Sequence, residues 1–194
     1  MPKLPLFPLN LIILPYEYLP LHIFEPRYKI MITNNIEQNS PFGIIHRDGK
    51  NLYPKGCKVE VSKVYKKYQT GEFDILVRGI ENFKIYNTKL DGETIVGEVE
   101  YIPISMINDD EMTNLIQDSY LKLLLKFGIS NDLDLHLKKK ISYEFLQGFQ
   151  LPLEIKKELI LMDNETKRLK LVHKIFKSLL AKDNKNDLSQ IPNA

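Results

Sequence analysis

The chain has 194 residues, with 43% hydrophobic and 27% charged residues, a composition that supports a packed core and excludes wholesale disorder. Formal net charge is +2, and it is evenly spread, with 13 Lys and Arg against 12 Asp and Glu up to Met106 and 14 against 13 after it. Neither half therefore carries the basic excess of a nucleic-acid binder. Cys57 is the only cysteine, so an intramolecular disulfide and a Cys-x-x-Cys metal or redox motif are both excluded.

In chain order, the sequence first favours strands. Leu4 to Leu9 and Leu11 to Leu14 are short apolar runs broken by Pro8 and Pro15, the pattern of edge strands. Leu19 to Phe24 reads as another strand. Pro26 suits the first position of a helix, and Tyr28, Met31, Ile32 and Ile36 give that helix one apolar face. Phe42 to His46 is a short strand ended by Asp48-Gly49. Four more strands follow over 56–67, 72–78, 81–89 and 94–104, with turns at Gln69-Thr70-Gly71 and Leu90-Asp91-Gly92. Alternation breaks at Lys63-Val64, where a bulge shifts the register. Short strands with one inserted helix predict a curved sheet or barrel.

After about Asn108 the period becomes helical. Acidic residues from Asp109 to Glu111 crowd a first turn, where the helix dipole favours them. Helices are expected over about 108–127, 133–147, 152–162 and 163–180, the last with Asp163 as cap. The expected class is α+β, with a β subdomain over 1–105, a C-terminal four-helix bundle over 106–180 and a flexible tail over 181–194.

No set of catalytic residues assembles. The chain has no Walker-type phosphate cradle, no Gly-x-Ser-x-Gly elbow and no His pair at metal-ligand spacing, so no cofactor is expected. Cys57 with His46 as base would lack an orienting third group and an oxyanion element. Pro2, Pro5, Pro8, Pro15 and Pro20 break the apolar N-terminus too densely for a membrane helix or signal peptide. With the lone cysteine, this predicts a cytoplasmic protein.

Two sets remain. Glu25, Arg27 and Arg78 read as an ionic clamp between sheet and helix. Tyr16, Tyr18, Tyr65, Tyr68 and Phe73 place aromatic area in loop-like sequence, which suits a polypeptide-binding surface. Lys63, Lys66 and Lys67 interleave with some of these rings, the pattern behind an alternative RNA-binding reading.

The sequence resembles the N-terminal substrate-recognition domain of Lon proteases. Leu4-Pro5-Leu6-Phe7-Pro8-Leu9 and Leu19-Pro20-Leu21-His22-Ile23-Phe24-Glu25-Pro26-Arg27-Tyr28 are similar to its opening signature. Phe42-Gly43-Ile44-Ile45, Val77-Arg78-Gly79-Ile80 with Phe83-Lys84-Ile85, and the Arg168-Leu169 helix extend the likeness over about residues 3 to 180. Asn82 departs from an Arg usual before the Phe, and Tyr16 stands where the family often has glycine. The resemblance implies a PUA-like β subdomain followed by helices. It also implies a free-standing member without the ATPase and protease, like certain bacterial relatives and the scaffold domain of cereblon. Its partners would be unfolded or partly folded polypeptides, full-length Lon, or another protease or chaperone; a membrane partner is not expected.

Overall fold

In a computed structural model, residues 1–104 and 110–181 are described. They form six strands, β1 (Lys3–Leu9), β2 (Tyr18–Ile23), β3 (Phe42–Asp48), β4 (Asn51–Lys67), β5 (Phe73–Asp91) and β6 (Thr94–Ile102), and six helices. The helices are α1 (Pro26–Glu37), α2 (Asp110–Lys126), α3 (Leu133–Leu137), α4 (Ser142–Phe145), α5 (Leu153–Leu161) and α6 (Glu165–Ala181). The chain divides into two compact units, one of Met1–Pro103 with Leu153–Leu161, the other of Ile104–Pro152 with Met162–Ala194. Residues 182–194 of the expected tail and the Asp109 part of the acidic turn lie outside the described residues, and Ala181 ends α6.

In the first unit the strand order is β2-β5-β4-β3-β1-β6, and β5 also pairs with β6. That extra pairing closes β5, β4, β3, β1 and β6 into a barrel, one of the two forms expected from short strands with an inserted helix, and leaves β2 on the first half of β5. Leu4, Leu6, Ile45, Phe83 and Val99 form one core cluster. A Cβ at Gly43 or Gly56 would lie 2.7 or 2.5 Å from the Phe83 ring, so both positions need glycine for that ring to fit. A second cluster gathers Tyr28, Met31 and Ile32 of α1 over Phe42, Ile44, Val59, Phe73, Ile75 and Val77, the helical face expected from its spacing. Helix α5 also belongs to this unit. Lys55 Nζ donates to Leu161 O at 2.8 Å, and Lys156 Nζ reaches the Glu17 carboxylate at 2.8 Å.

Three expectations need correction. Leu11 to Leu14 is no strand, although Ile12, Ile13 and Leu14 are buried. Its backbone turns instead, because Leu14 N–H donates to the Glu17 carboxylate at 2.9 Å and Glu17 N–H returns to Leu14 O. The 72–78 and 81–89 strands are one strand, β5, whose register against β4 shifts where Lys58 faces Glu81 and Val59 faces Gly79. The expected 133–147 helix is two. The Glu144 carboxylate accepts from the backbone N–H groups of Lys140 and Ile141, capping α4 and ending the run at Lys138.

In the second unit α2 and α6 supply the core, with Ile116, Tyr120, Leu123, Leu169, Val172 and Phe176 buried. Asn164, not Asp163, caps α6, its Oδ1 accepting from Lys167 N–H at 3.0 Å. Glu165 and Arg168 sit one turn apart with side chains 1% and 4% exposed. Glu165 accepts two bonds from Arg168 (2.9 and 2.6 Å) and two from Ser142, at its backbone N–H and its hydroxyl. Arg168 also donates to Met162 O and lies over the Tyr143 ring. Both Glu165 oxygens thus accept and all three Arg168 side-chain nitrogens donate, which is what lets the charges be buried.

Candidate functional site

The site is built on the side of the β2-β5-β4 sheet that faces away from the α1 core. Alternation assigns it. Leu19 and Leu21 of β2 pack on the core, so Tyr18, Pro20 and His22 point outward. The register then sets three rows across three strands: Tyr18, Arg78 and Glu60; Pro20, Leu76 and Lys63; His22, Asp74 and Lys66. Shifts between Val61 and Lys63 and between Val64 and Lys66 keep Lys63 and Lys66 in these rows. They fall where broken alternation at Lys63-Val64 marked a bulge.

Rings stand at both ends of this lattice. At one end Tyr18 is 54% exposed, and the Tyr16 ring centre lies 5.9 Å from the Arg78 guanidinium carbon. Tyr16 has φ 67°, a left-handed conformation unusual for a residue with a Cβ. It is pinned there because Tyr16 N–H donates to Gly79 O and Gly79 N–H to Glu17 O. A Cβ at Gly79 would come 2.3 Å from Leu14 O, so glycine is what lets the loop approach.

At the other end Asp74 accepts from Tyr68 Oη at 2.7 Å and lies 2.7 Å from His22 Nδ1. The Tyr68 hydrogen bond, then the His22 contact, hold the Asp74 carboxyl below the usual carboxylate range. The same bond to Asp74 raises the Tyr68 phenol, which stays a donor. His22 meets the Tyr68 ring edge-on at 6.0 Å and stacks on Phe24 at 5.9 Å. Lys66 Nζ stands 4.2 Å over Tyr68, and Lys63 Nζ 5.0 Å over the exposed Tyr65.

The structure thus brings Tyr16, Tyr18, Tyr65 and Tyr68 to one surface and removes Phe73 from it. Phe73 is 3% exposed and lies in the core, because it follows the turn as an inward position paired with Ile23. Phe24, 60% exposed, is the ring that sequence reasoning missed. Its position beside an outward His22 was the available signal.

The expected clamp also differs. Glu25 and Arg27 pair at 2.6 Å, but both side chains are about 40% exposed and two residues apart. Arg78 is not part of the pair, since its side chain lies with Tyr16 on the outer face. The Glu25 hydrogen bond raises the Arg27 guanidinium. Among the described residues the most deeply buried ion pair is Glu165 with Arg168, signalled only by a Glu-x-x-Arg spacing at a helix start.

No nucleophile is activated where His46 and Cys57 were considered. Both are buried, burial pushes the Cys57 thiol up, and its Sγ points to Lys58 O at 3.5 Å. Among the described residues, no three His, Cys, Asp or Glu gather as metal ligands would, and no helix is long and apolar enough to cross a membrane.

Against known proteins, residues 3–178 match the family model described as ATP-dependent protease La (LON) substrate-binding domain. Among solved structures, the chain is similar to a Lon N-terminal domain protein from Xanthomonas campestris, at 19% identity, a TM-score of 0.67, and coverage of 89% of this chain and 97% of that one. It is also similar to the N-terminal domain of Mycobacterium avium complex Lon protease, at 16% identity, a TM-score of 0.70, and coverage of 91% and 98%.

Proposed function

The chain belongs to the ATP-dependent protease La (LON) substrate-binding domain family, and from that membership we propose that it is a non-catalytic module that holds unfolded or partly folded polypeptide on the outer face of β2, β5 and β4. The supporting observation is the two-ended lattice of rings. Tyr18 and His22 are four residues apart on one strand, which sets the ends roughly 13 Å apart, about the length of four extended residues of a bound chain. Apolar side chains from that chain would meet Tyr16 and Tyr18 at one end and Tyr68 and Phe24 at the other, across Pro20 and Leu76. Burial of apolar surface is non-directional, so such a face tolerates many sequences.

Strand addition at the free edge of β2 fits less well. Gly79 N–H bonds to Glu17 O, so by antiparallel alternation Leu19 and Leu21 bond to β5, while Tyr18, Pro20 and His22 turn their backbone groups outward. Pro20 has no N–H to offer there. Binding on the face is therefore favoured over binding along the edge.

A site burying about 300 Å² of apolar area would gross roughly 7 kcal/mol, most of which association and ordering consume. Affinity is then micromolar or weaker, useful when a protease or chaperone partner, full-length Lon among them, adds a second contact. The test is fluorescence anisotropy with a labelled, reduced, unfolded protein. Wild type should bind at roughly 100 micromolar or below, about −5.5 kcal/mol, and Tyr16→Ser/Tyr18→Ser and Tyr65→Ser/Tyr68→Ser should each weaken it. Binding that persists equally in both variants would move the site elsewhere. Lys63 over Tyr65 and Lys66 over Tyr68 are the arrangement an RNA-binding reading requires. Preference for RNA over unfolded protein, with affinity falling steeply in salt, would replace the polypeptide reading. Pure protein should hydrolyse no ATP and cleave no casein, since no phosphate cradle or nucleophile set is present in the sequence.

A further inference from the structure

The second unit contains a titratable cluster that polypeptide binding does not use. Lys139 lies between α3 and α4, flanked by the exposed Lys138 and Lys140 but itself half-buried. Its Nζ donates to Tyr120 Oη at 2.8 Å, and that oxygen is 2.8 Å from His136 Nδ1. The Tyr120 hydroxyl is one group with one proton, so with Lys139 donating to it, it donates onward to a neutral His136. Tyr120 is 2% exposed and packs against Phe145, Phe149 and Phe176.

Lys139 has a neutral hydroxyl as its partner and forms no ion pair among the described residues. The nearby acids are committed or distant. Glu144 on α4 accepts the backbone N–H groups of Lys140 and Ile141, and Asp132 precedes α3. The ammonium is thus poorly compensated. Burial lowers the Lys139 amine to about 8, opposed by Glu144. Burial, then the Lys139 charge, lower His136, and burial pushes Tyr120 up to about 12. The three groups agree: near neutral pH the chain runs from amine to phenol to imidazole, with about a tenth of the amine uncharged at pH 7 and half near pH 8.

We propose that Lys139 is an acyl-acceptor site, a nucleophilic amine positioned by Tyr120 and His136 that takes acyl groups from thioesters or acyl phosphates. The Nζ lone pair attacks the donor carbonyl carbon and a C–N bond forms. The donor C–S or C–O bond breaks, its electron pair leaves on thiolate or phosphate, and the Nζ proton goes to solvent. The product is a neutral amide beside Tyr120. Helix α3, which buries no residue of its own, is the neighbouring element with least packing to lose when the added group is accommodated.

The experiment treats the full chain with acetyl phosphate from pH 6 to 10 and follows acetylation of each lysine by peptide mass spectrometry. At pH 7.5 Lys139 should react roughly tenfold faster than Lys138 and Lys140, the gain in free amine over an ordinary lysine (pKa about 10.4) outweighing the loss of intrinsic nucleophilicity that accompanies lower basicity. Its rate should rise through a midpoint near pH 8. Tyr120→Phe keeps the ring but frees the amine to reach solvent, and should bring Lys139 down to the rate of its neighbours. A wild-type rate equal to or below theirs, or a midpoint near the ordinary value, overturns the site. A lead undiminished in Tyr120→Phe overturns the positioning role.

Discussion

Two acid-base pairs, one at the start of α1 and one at the start of α6, look alike in sequence and differ in what surrounds them. Glu25 and Arg27 are two residues apart with side chains about 40% exposed. Glu165 and Arg168 are three apart with side chains 1% and 4% exposed, and Ser142 and Met162 complete their bonding. An exposed pair trades water for a partner and gains little. A buried pair gains little over an apolar core of equal volume, but losing one member strands a charge. The contrast teaches that an ion pair's structural weight lies in its burial and the completeness of its bonding rather than in the residues forming it.

That comparison can be broken by mutation. Glu165→Ala leaves the Arg168 guanidinium and the Ser142 groups without their acceptor, and should cost the second unit about 3–5 kcal/mol, read as a lower urea midpoint for that unit's transition. Phe73→Ala, in the other unit, tests the same rule for a ring and should cost about 3–5 kcal/mol. A loss below 1 kcal/mol would return Phe73 to the surface. Glu25→Ala should shift the midpoint by no more than about 1 kcal/mol. A cost equal to that of Glu165→Ala would mean that exposure does not rank these pairs. The smallest change should come from Tyr16→Gly. Relief of the left-handed backbone, about 1–2 kcal/mol, offsets the lost ring contact with Arg78 and the greater freedom of the unfolded chain. Stability should stay within about 1 kcal/mol while binding to unfolded protein weakens, which would separate the site's chemistry from its scaffold.

Much of the fold was legible because its signals are local. Period-two alternation located the strands and Pro26 began α1, while the apolar spacing of Tyr28, Met31 and Ile32 chose its buried face. The turn glycines Gly49, Gly71 and Gly92 all carry positive φ, as their neighbours in sequence suggested. Where reading failed, a residue distant in sequence or a side-chain bond had intervened. Glu17 turned the Leu11 to Leu14 run away from strand geometry, and Glu144 cut one expected helix in two. Tyr16 stands where related sequences often have glycine, and its backbone keeps a glycine-like conformation. The substitution could be seen in the sequence, but the Gly79 bonds that hold it in place could not.

The sequence by itself determined the class of fold, the family, the lack of a recognisable catalytic set and four of the five rings at the candidate surface, because periodicity, motif spacing and residue chemistry are written along the chain. Only the tertiary structure decided which rings share a face, that Phe73 belongs to the core while Phe24 is exposed, and that Glu165 rather than Glu25 carries a buried charge. Those outcomes depend on strand register and on which surfaces exclude water. Both are set by partners tens of residues away, as when Tyr18 meets Arg78 and Ser142 meets Glu165.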